Sequence, residues 1–365
     1  MRKGLTWRLV ALLAAVALLA GACDRGGDDD KKSGDGAKTA NSLDKVTDAG
    51  VLNCGVNETV PGFGFAGAGG QIEGFDIDFC RAFAAAIFGD DTKHELKPID
   101  ADNRFVALRD GQYDVLVRNT TATSSREGAD GANFAHVNFY DGQAMMVKAD
   151  AGFSGVKDMD GTTVCVTSGT TTELNLADYA QQLGVKVKAL TFEENPQIQE
   201  AFVAGRCDGW TSDASQLAGI RSTFPAGDGG PESLVILPDI MSKEPLAPAV
   251  LDGADSDLYD AINLTVNGII LAEELGVTSK NVDAQASKPE TPQIASLLGV
   301  AFEGEESTDP GIGLEPTFMQ GVIKAVGNYG EIFDRHVGPN TPLGLKRGLN
   351  ALWTKGGIQY AIPFR

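Results

Sequence analysis

The chain has few residues with which to hold a transition metal. Its three histidines, His94, His136 and His336, are scattered, and neither C-x-x-C nor H-E-x-x-H spacing occurs. Imidazole and thiolate are the usual ligands of such ions, so no metal site and no cofactor are expected. Cations are scarce too: 30 Lys and Arg stand against 50 Asp and Glu, a formal net charge of -20. A phosphate backbone is gripped by surplus Lys and Arg, which argues against nucleic acid as a partner and disfavours anionic membrane surfaces. No Walker A sequence is present. The one G-x-G-x-x-G match, Gly62-Phe63-Gly64-Phe65-Ala66-Gly67, runs on into Ala68-Gly69-Gly70-Gln71. A dinucleotide fingerprint opens a helix there, so this reads as a chance match in a glycine-rich loop.

Long apolar runs are also missing. The exception, residues 9–19, is too short to span a bilayer and follows a basic start of Arg2, Lys3 and Arg8, the pattern of an export signal over residues 1–22. The following Leu19-Ala20-Gly21-Ala22-Cys23 admits two cleavage readings. It resembles a lipobox that would place a lipid on Cys23, and Ala20-Gly21-Ala22 also fits an ordinary A-x-A site. Residues 23–42 are mainly Asp, Gly, Lys and Ser, with little apolar surface to bury, and are expected to form a disordered tether. Beyond them lie Cys54, Cys80, Cys165 and Cys207, an even number in an exported chain, which favours disulfides while leaving three connectivities open.

What is present suffices for two cores of ordinary domain size: 365 residues, 42% of them hydrophobic. From residue 51 short apolar runs alternate with helical periods. Strands are expected at 51–56 and 113–117, with helices at 75–88 and around 105–108. A second series after Ala144-Met145-Met146-Val147 places strands at 163–167, 185–192 and near 234–237, and helices at 173–183 and 196–204. Two successive α/β lobes are the economical reading. Long helical stretches at 256–275 and 318–333 then return to the first lobe.

Two helix starts carry the chemistry. Asn119-Thr120-Thr121-Ala122-Thr123-Ser124-Ser125-Arg126-Glu127 leaves one strand with a capping pair, Ser124 and Glu127; Ser168-Gly169-Thr170-Thr171-Thr172-Glu173 leaves another with Thr170 and Glu173. Each exposes free backbone N–H groups at the carboxyl end of a strand, where α/β folds bind ligands and anions are favoured. Arg126 adds a planar fork suited to a carboxylate. Asp213, after a strand-like Gly209-Trp210-Thr211, offers an anion for an ammonium group or simply caps the next helix.

These residues, together with Gly74-Phe75-Asp76-Ile77-Asp78 and Gly205-Arg206-Cys207-Asp208, resemble the polar amino-acid solute-binding proteins of bacterial ABC importers. Val51-Leu52-Asn53-Cys54-Gly55-Val56, Ser242-Lys243-Glu244-Pro245-Leu246, Asn328-Tyr329-Gly330-Glu331-Ile332-Phe333 and Arg347-Gly348-Leu349-Asn350-Ala351-Leu352-Trp353 resemble its general L-amino-acid-binding branch. The resemblance implies an α/β, two-lobed clamshell of periplasmic-binding-protein type II with two hinge crossings. Lobe one would take residues 43–141 and return at 244–365, with a C-terminal extension; lobe two would take 142–243. It implies that Arg126, Thr121 and the backbone of Thr171 hold a ligand carboxylate, and that Asp213 and the carbonyl of Asn119 hold its ammonium. Phe63 would lie against the ligand, and Arg118 would reach its side chain. In such a clamshell either alternative disulfide set would tie the lobes together, so Cys54–Cys80 and Cys165–Cys207 are expected. The implied protein is a periplasmic monomer that binds free L-amino acids for ABC permease subunits, either soluble or anchored through Cys23. The same clamshell also hosts cyclohexadienyl dehydratases, for which Glu58 is the available acid or base, and sensor proteins.

Overall fold

The expected strand at 51–56 forms as Leu52–Val56 and stands inside the first of two large sheets. The computed structural model describes residues 42–365 apart from 254, 255 and 308. The expected signal peptide, Cys23 and all of the expected tether except Ser42 therefore lie outside the described residues. Ser42 itself caps a helix, Leu43–Ala49, accepting from the Lys45 N–H at 3.1 Å.

In the first sheet the strands run in the order His94–Pro98, Leu52–Val56, Val115–Leu116, Ala249–Leu251, Ala132–Phe134. The first three are parallel, and Ala249–Leu251 is antiparallel to both of its neighbours. Leu52, Cys54 and Val56 are wholly buried, on the face-alternating pattern of a strand packed by a helix. That helix is Phe75–Phe88, with the bounds expected from its apolar period. Gly74 opens it at φ 147°, in a place where a Cβ would collide with the Phe63 carbonyl, and Gly89 ends it at φ 68°.

The second sheet has the order Lys188–Phe192, Thr163–Thr167, Gly209–Asp213, Phe139–Lys148, Leu234–Ile236. The first three strands are again parallel and the last two pairings antiparallel. Phe139–Lys148 carries the chain from one lobe into the other, and Lys243–Leu246 brings it back; the two crossings pair antiparallel, with Asp141 opposite Glu244. The fold is the two-lobed type II α/β clamshell.

Some expectations needed revision: the single helix expected at 318–333 is two, Phe318–Val326 and Tyr329–His336, parted at Gly327, whose φ is 86°. The strand expected at 185–192 begins at Lys188, and the glycine-rich loop is a small antiparallel sheet of Thr59–Val60, Gly64–Ala66 and Ile72–Glu73. Gly64 is required there because a side chain would strike the backbone carbonyl of Asn57.

After Ser256–Glu274 the chain adds helices Val282–Ser287, Pro292–Leu298, Phe318–Val326 and Tyr329–His336, packed into the core of the first lobe. The final segment reaches back to the first crossing strand. Asn350 accepts from the Tyr140 N–H at 2.7 Å and donates to the Tyr140 carbonyl at 3.0 Å, and the Tyr329 hydroxyl donates to the Asn138 carbonyl at 2.8 Å. Among the described residues no helix is long and apolar enough to cross a membrane.

Cys54 is bonded to Cys80 and Cys165 to Cys207, each pair inside one lobe, at sequence separations of 26 and 42 residues. In the chain-entropy description each link stabilises its lobe by roughly 3 to 4 kcal/mol. Cys54→Ser with Cys80→Ser is expected to lower the urea midpoint correspondingly, as is Cys165→Ser with Cys207→Ser. A midpoint unchanged in either double variant would show that the link does not constrain the unfolded chain.

Candidate functional site

The cleft is built where the two expected helix starts face one another. Leaving strand Val115–Leu116, the backbone turns at Asn119, which takes φ 33°, a left-handed conformation uncommon outside glycine. Its N–H donates to Asp76 Oδ2 at 2.7 Å, which holds the turn. Helix Ser124–Gly128 follows. Its cap is Thr123 rather than the expected Ser124, because Thr123 still has extended dihedrals; its hydroxyl accepts from the Arg126 N–H at 3.3 Å. Glu127 turns instead to the Phe134 N–H at 3.2 Å. In the second lobe Thr170 caps helix Thr171–Leu183 as expected, accepting from the Glu173 N–H at 3.1 Å. The first N–H groups of that helix have no partner within it, and Thr171 and Thr172 line the cleft.

From the first lobe Asn57, Arg104, Arg118, Asn119, Thr121 and Arg126 line the cleft; from the second come Thr171, Glu194, Asn195, Asp213 and Gln216. The space between them is narrow, with room for little more than a few waters, as in a cleft whose lobes are drawn together. A relay of amides spans the gap. Asn57 donates to Asn119 at 3.2 Å, Asn119 to Gln216 at 3.1 Å, Gln216 to Asn195 at 3.0 Å and Asn195 to the Thr59 hydroxyl at 3.1 Å. At the crossings the fully buried carboxylate of Glu244 accepts from Thr121 at 2.6 Å, from Thr171 at 2.7 Å, from Asn175 at 3.0 Å and from Ser242.

The electrostatics are those of buried charge. Burial first, and then the neighbouring carboxylates Asp141 and Glu244, push Asp213 well above the usual carboxylate range, while Arg126 and a hydrogen bond from Asn119 pull it back. Asp141 is raised to about 6 by burial, with Glu244 adding to the rise and hydrogen bonds from Ser215 and Gly142 opposing it. Burial lowers Arg126, against the pull of Glu244 and Asp213. An ammonium beside Asp213 and a carboxylate beside Arg126 would each restore the charged form.

Arg126, Asp213, Thr121, Asn119, Thr171 and Arg118 are thus brought into one cleft. Arg126 donates to the Thr121 carbonyl at 2.7 Å, and Arg118 Nε donates to the Ile99 carbonyl at 2.7 Å. Phe63 is not brought there. The turn at Gly62, φ 88°, sends its ring into the core, 5.1 Å from the Phe139 ring and 5.8 Å from that of Phe75. Glu58 is exposed and outside the lining. The sequence reading missed Arg104, Glu194, Asn195, Gln216 and Glu244. Gln216 had a signal, lying three residues after Asp213 on the face of helix Ala214–Ser222 that Asp213 begins. Among the described residues no group of three His, Cys, Asp or Glu is placed to hold a metal ion.

The sequence profile of the bacterial extracellular solute-binding proteins, family 3, matches residues 52–281. The general L-amino acid-binding periplasmic protein of Rhizobium johnstonii is 46% identical over 332 residues, 91% of this chain and 95% of that one. The glutamate/glutamine/aspartate/asparagine-binding protein of Rhodobacter capsulatus is 44% identical over 331 residues, 90% and 95% of the two chains. A solved ABC transporter periplasmic binding protein from Brucella ovis with glutathione bound has a TM-score of 0.84 and 42% identity, covering 90% of this chain and 100% of that one.

The buried support beneath Asn119 generates a pH dependence. Burial raises Asp76 to about 7, against the Asn119 N–H and the charge of Arg118. Its folded-state value lies above the unfolded one, so between about pH 4 and pH 7 unfolding releases a proton and stability falls as pH rises through that window. The full shift corresponds to at most about 4 kcal/mol. Asp76→Asn keeps an acceptor for Asn119 but cannot ionise. Calorimetry at pH 5 and pH 8 is expected to show a smaller loss of stability for this variant than for the wild type, and equal losses would contradict the assignment.

Proposed function

Because the chain belongs to the bacterial extracellular solute-binding proteins of family 3, we propose that it captures free L-amino acids outside the cytoplasmic membrane and presents them to an ABC importer. The observation that carries this reading is that Arg126 and Asp213, both 6% exposed, face one cleft from opposite lobes. A zwitterion leaving water loses strong hydration at both ends, so each end needs a charge-assisted partner. Arg126 would take the carboxylate, with the Thr121 hydroxyl and the free N–H groups at Thr171 beside it. Asp213 would take the ammonium, with the Asn119 carbonyl beside it. Partners drawn from two lobes make binding and closure one event, and the closed form is what the permease subunits would recognise. Relatives described as binding amino acids, at 44% and 46% identity, support a receptor over an enzyme. The glutathione of the Brucella ovis protein also carries a free amino-acid head, so a γ-linked peptide belongs among the candidate ligands.

The receptor would act as a monomer, either free in the periplasm or held at the membrane by a lipid on Cys23. Mass spectrometry of the mature protein tests the anchor: a diacylated Cys23 at the N-terminus is expected, and an unmodified terminus would mean the free form. The clamp is tested by Arg126→Ala and Asp213→Ala. Removing one partner strands a buried charge on the ligand at a cost of about 2 to 5 kcal/mol, more than tenfold in affinity. Calorimetric titration with a panel of amino acids should lose detectable binding in each variant while the melting temperature stays near that of the wild type. Unchanged affinity in either variant would refute the clamp.

A further inference from the structure

Arg104 is unaccounted for by a clamp made of Arg126 and Asp213. It lines the same cleft, is 3% exposed, and donates from one terminal nitrogen to the Gly169 carbonyl of the opposite lobe at 3.2 Å. Its Nε is buried with no acceptor. A buried donor left unpaired is destabilising, the more so when the group is charged. Its surroundings make this worse. The Phe105 ring lies under both Arg104, 5.0 Å from its guanidinium carbon, and Arg126, at 5.2 Å. Two cations thus share one ring. Burial, followed by repulsion from Arg126 and Arg118, pushes Arg104 well below the ordinary arginine range, and Asp213 only partly opposes this. Arg118 is held by the Ile99 carbonyl through Nε, and the charges of Glu194 and Asp100 oppose the effect of its burial.

We propose that Arg104, which lines the cleft together with Arg126 and Arg118, receives a second carboxylate of the ligand, so that the cleft selects amino acids bearing a further acid group over their neutral counterparts. This rests on the reading above, in which Arg126 and Asp213 take the two ends common to all amino acids. The second carboxylate answers both defects at once: it accepts from the orphaned Nε and separates three guanidinium groups that otherwise repel. The acid group can sit on the ligand's own side chain, as in L-glutamate, or at the far end of a γ-linked peptide such as glutathione.

The test is calorimetric titration of the full-length mature protein and of Arg104→Met with L-glutamate, L-glutamine and glutathione. In the wild type at least one acid-bearing ligand should bind tenfold or more tighter than L-glutamine, and whichever of the two is tighter identifies the source of the carboxylate. Arg104→Met should erase that margin while leaving L-glutamine within about threefold of its wild-type affinity. Arg104→Lys, which keeps the charge but not the fork, should recover part of it. Without ligand, Arg104→Met should melt no lower than the wild type, since it removes a buried cation whose Nε has no acceptor and which two other guanidinium groups repel. L-Glutamine binding as tightly as both acids in the wild type would overturn the proposal. Equal losses of all three ligands in Arg104→Met would also overturn it, and would mean that Arg104 shares the common carboxylate with Arg126. Failure of every amino acid to bind the wild type would instead overturn the receptor reading.

Discussion

The carboxylate of Glu244 is buried where the two crossing strands meet, and it is satisfied by hydroxyls and an amide drawn from both lobes. A charge so placed is costly unless several donors surround it, and here Thr121 donates from one lobe while Thr171 and Asn175 donate from the other. The same two threonines stand at the two helix starts that form the cleft. Closure is therefore read by a group that itself lies on the hinge. Asp141, directly across the ladder, and Asp213 beyond it extend this acidic nucleus, so Arg126 faces buried acids rather than solvent.

Against that background the amide relay from Asn57 through Asn119, Gln216 and Asn195 has a complementary character. Neutral amides exchange partners at little electrostatic cost and can give way to a ligand, whereas the Glu244 donors report whether the lobes are together. Asn119 stands in both systems: its side chain belongs to the relay, and its strained backbone is pinned by Asp76. Strain at a site persists only where surrounding structure enforces it, and the buried Asp76 supplies that enforcement.

The sequence made the fold legible because its signals were local. The apolar period of Phe75–Phe88, the glycines at its ends and the Thr170 cap each settle structure within a few residues, and the structure follows them closely. Arg126 and Asp213 were legible for the same reason, each sitting at a helix start. Arg104 was not, since nothing beside it in the chain marks it; Glu194 reads locally only as the cap of helix Asn195–Val203, and Glu244 only as part of a crossing strand, and their place in the cleft comes from neighbours scores of residues away. Phe63 failed in the opposite sense. Its glycine neighbours were legible as a turn, but the direction of the ring depended on an aromatic cluster assembled from Phe75 and Phe139.

The C-terminal segment alters how the hinge behaves as a mechanical part. Asn350 grips both the N–H and the carbonyl of Tyr140, the residue before Asp141. One of the two crossing strands is thus anchored along its outer edge to a segment that lies beyond the matched family profile, which ends at residue 281. The other crossing is held along its own outer edge by the loop that leaves the first cleft strand: the Ala122 N–H donates to the Pro245 carbonyl at 2.8 Å and the Ala247 N–H to the Thr120 carbonyl at 3.0 Å. The hinge thus behaves as a spring clamped along both margins, one margin held by residues near the end of the chain and the other by the very loop whose Thr121 lines the cleft.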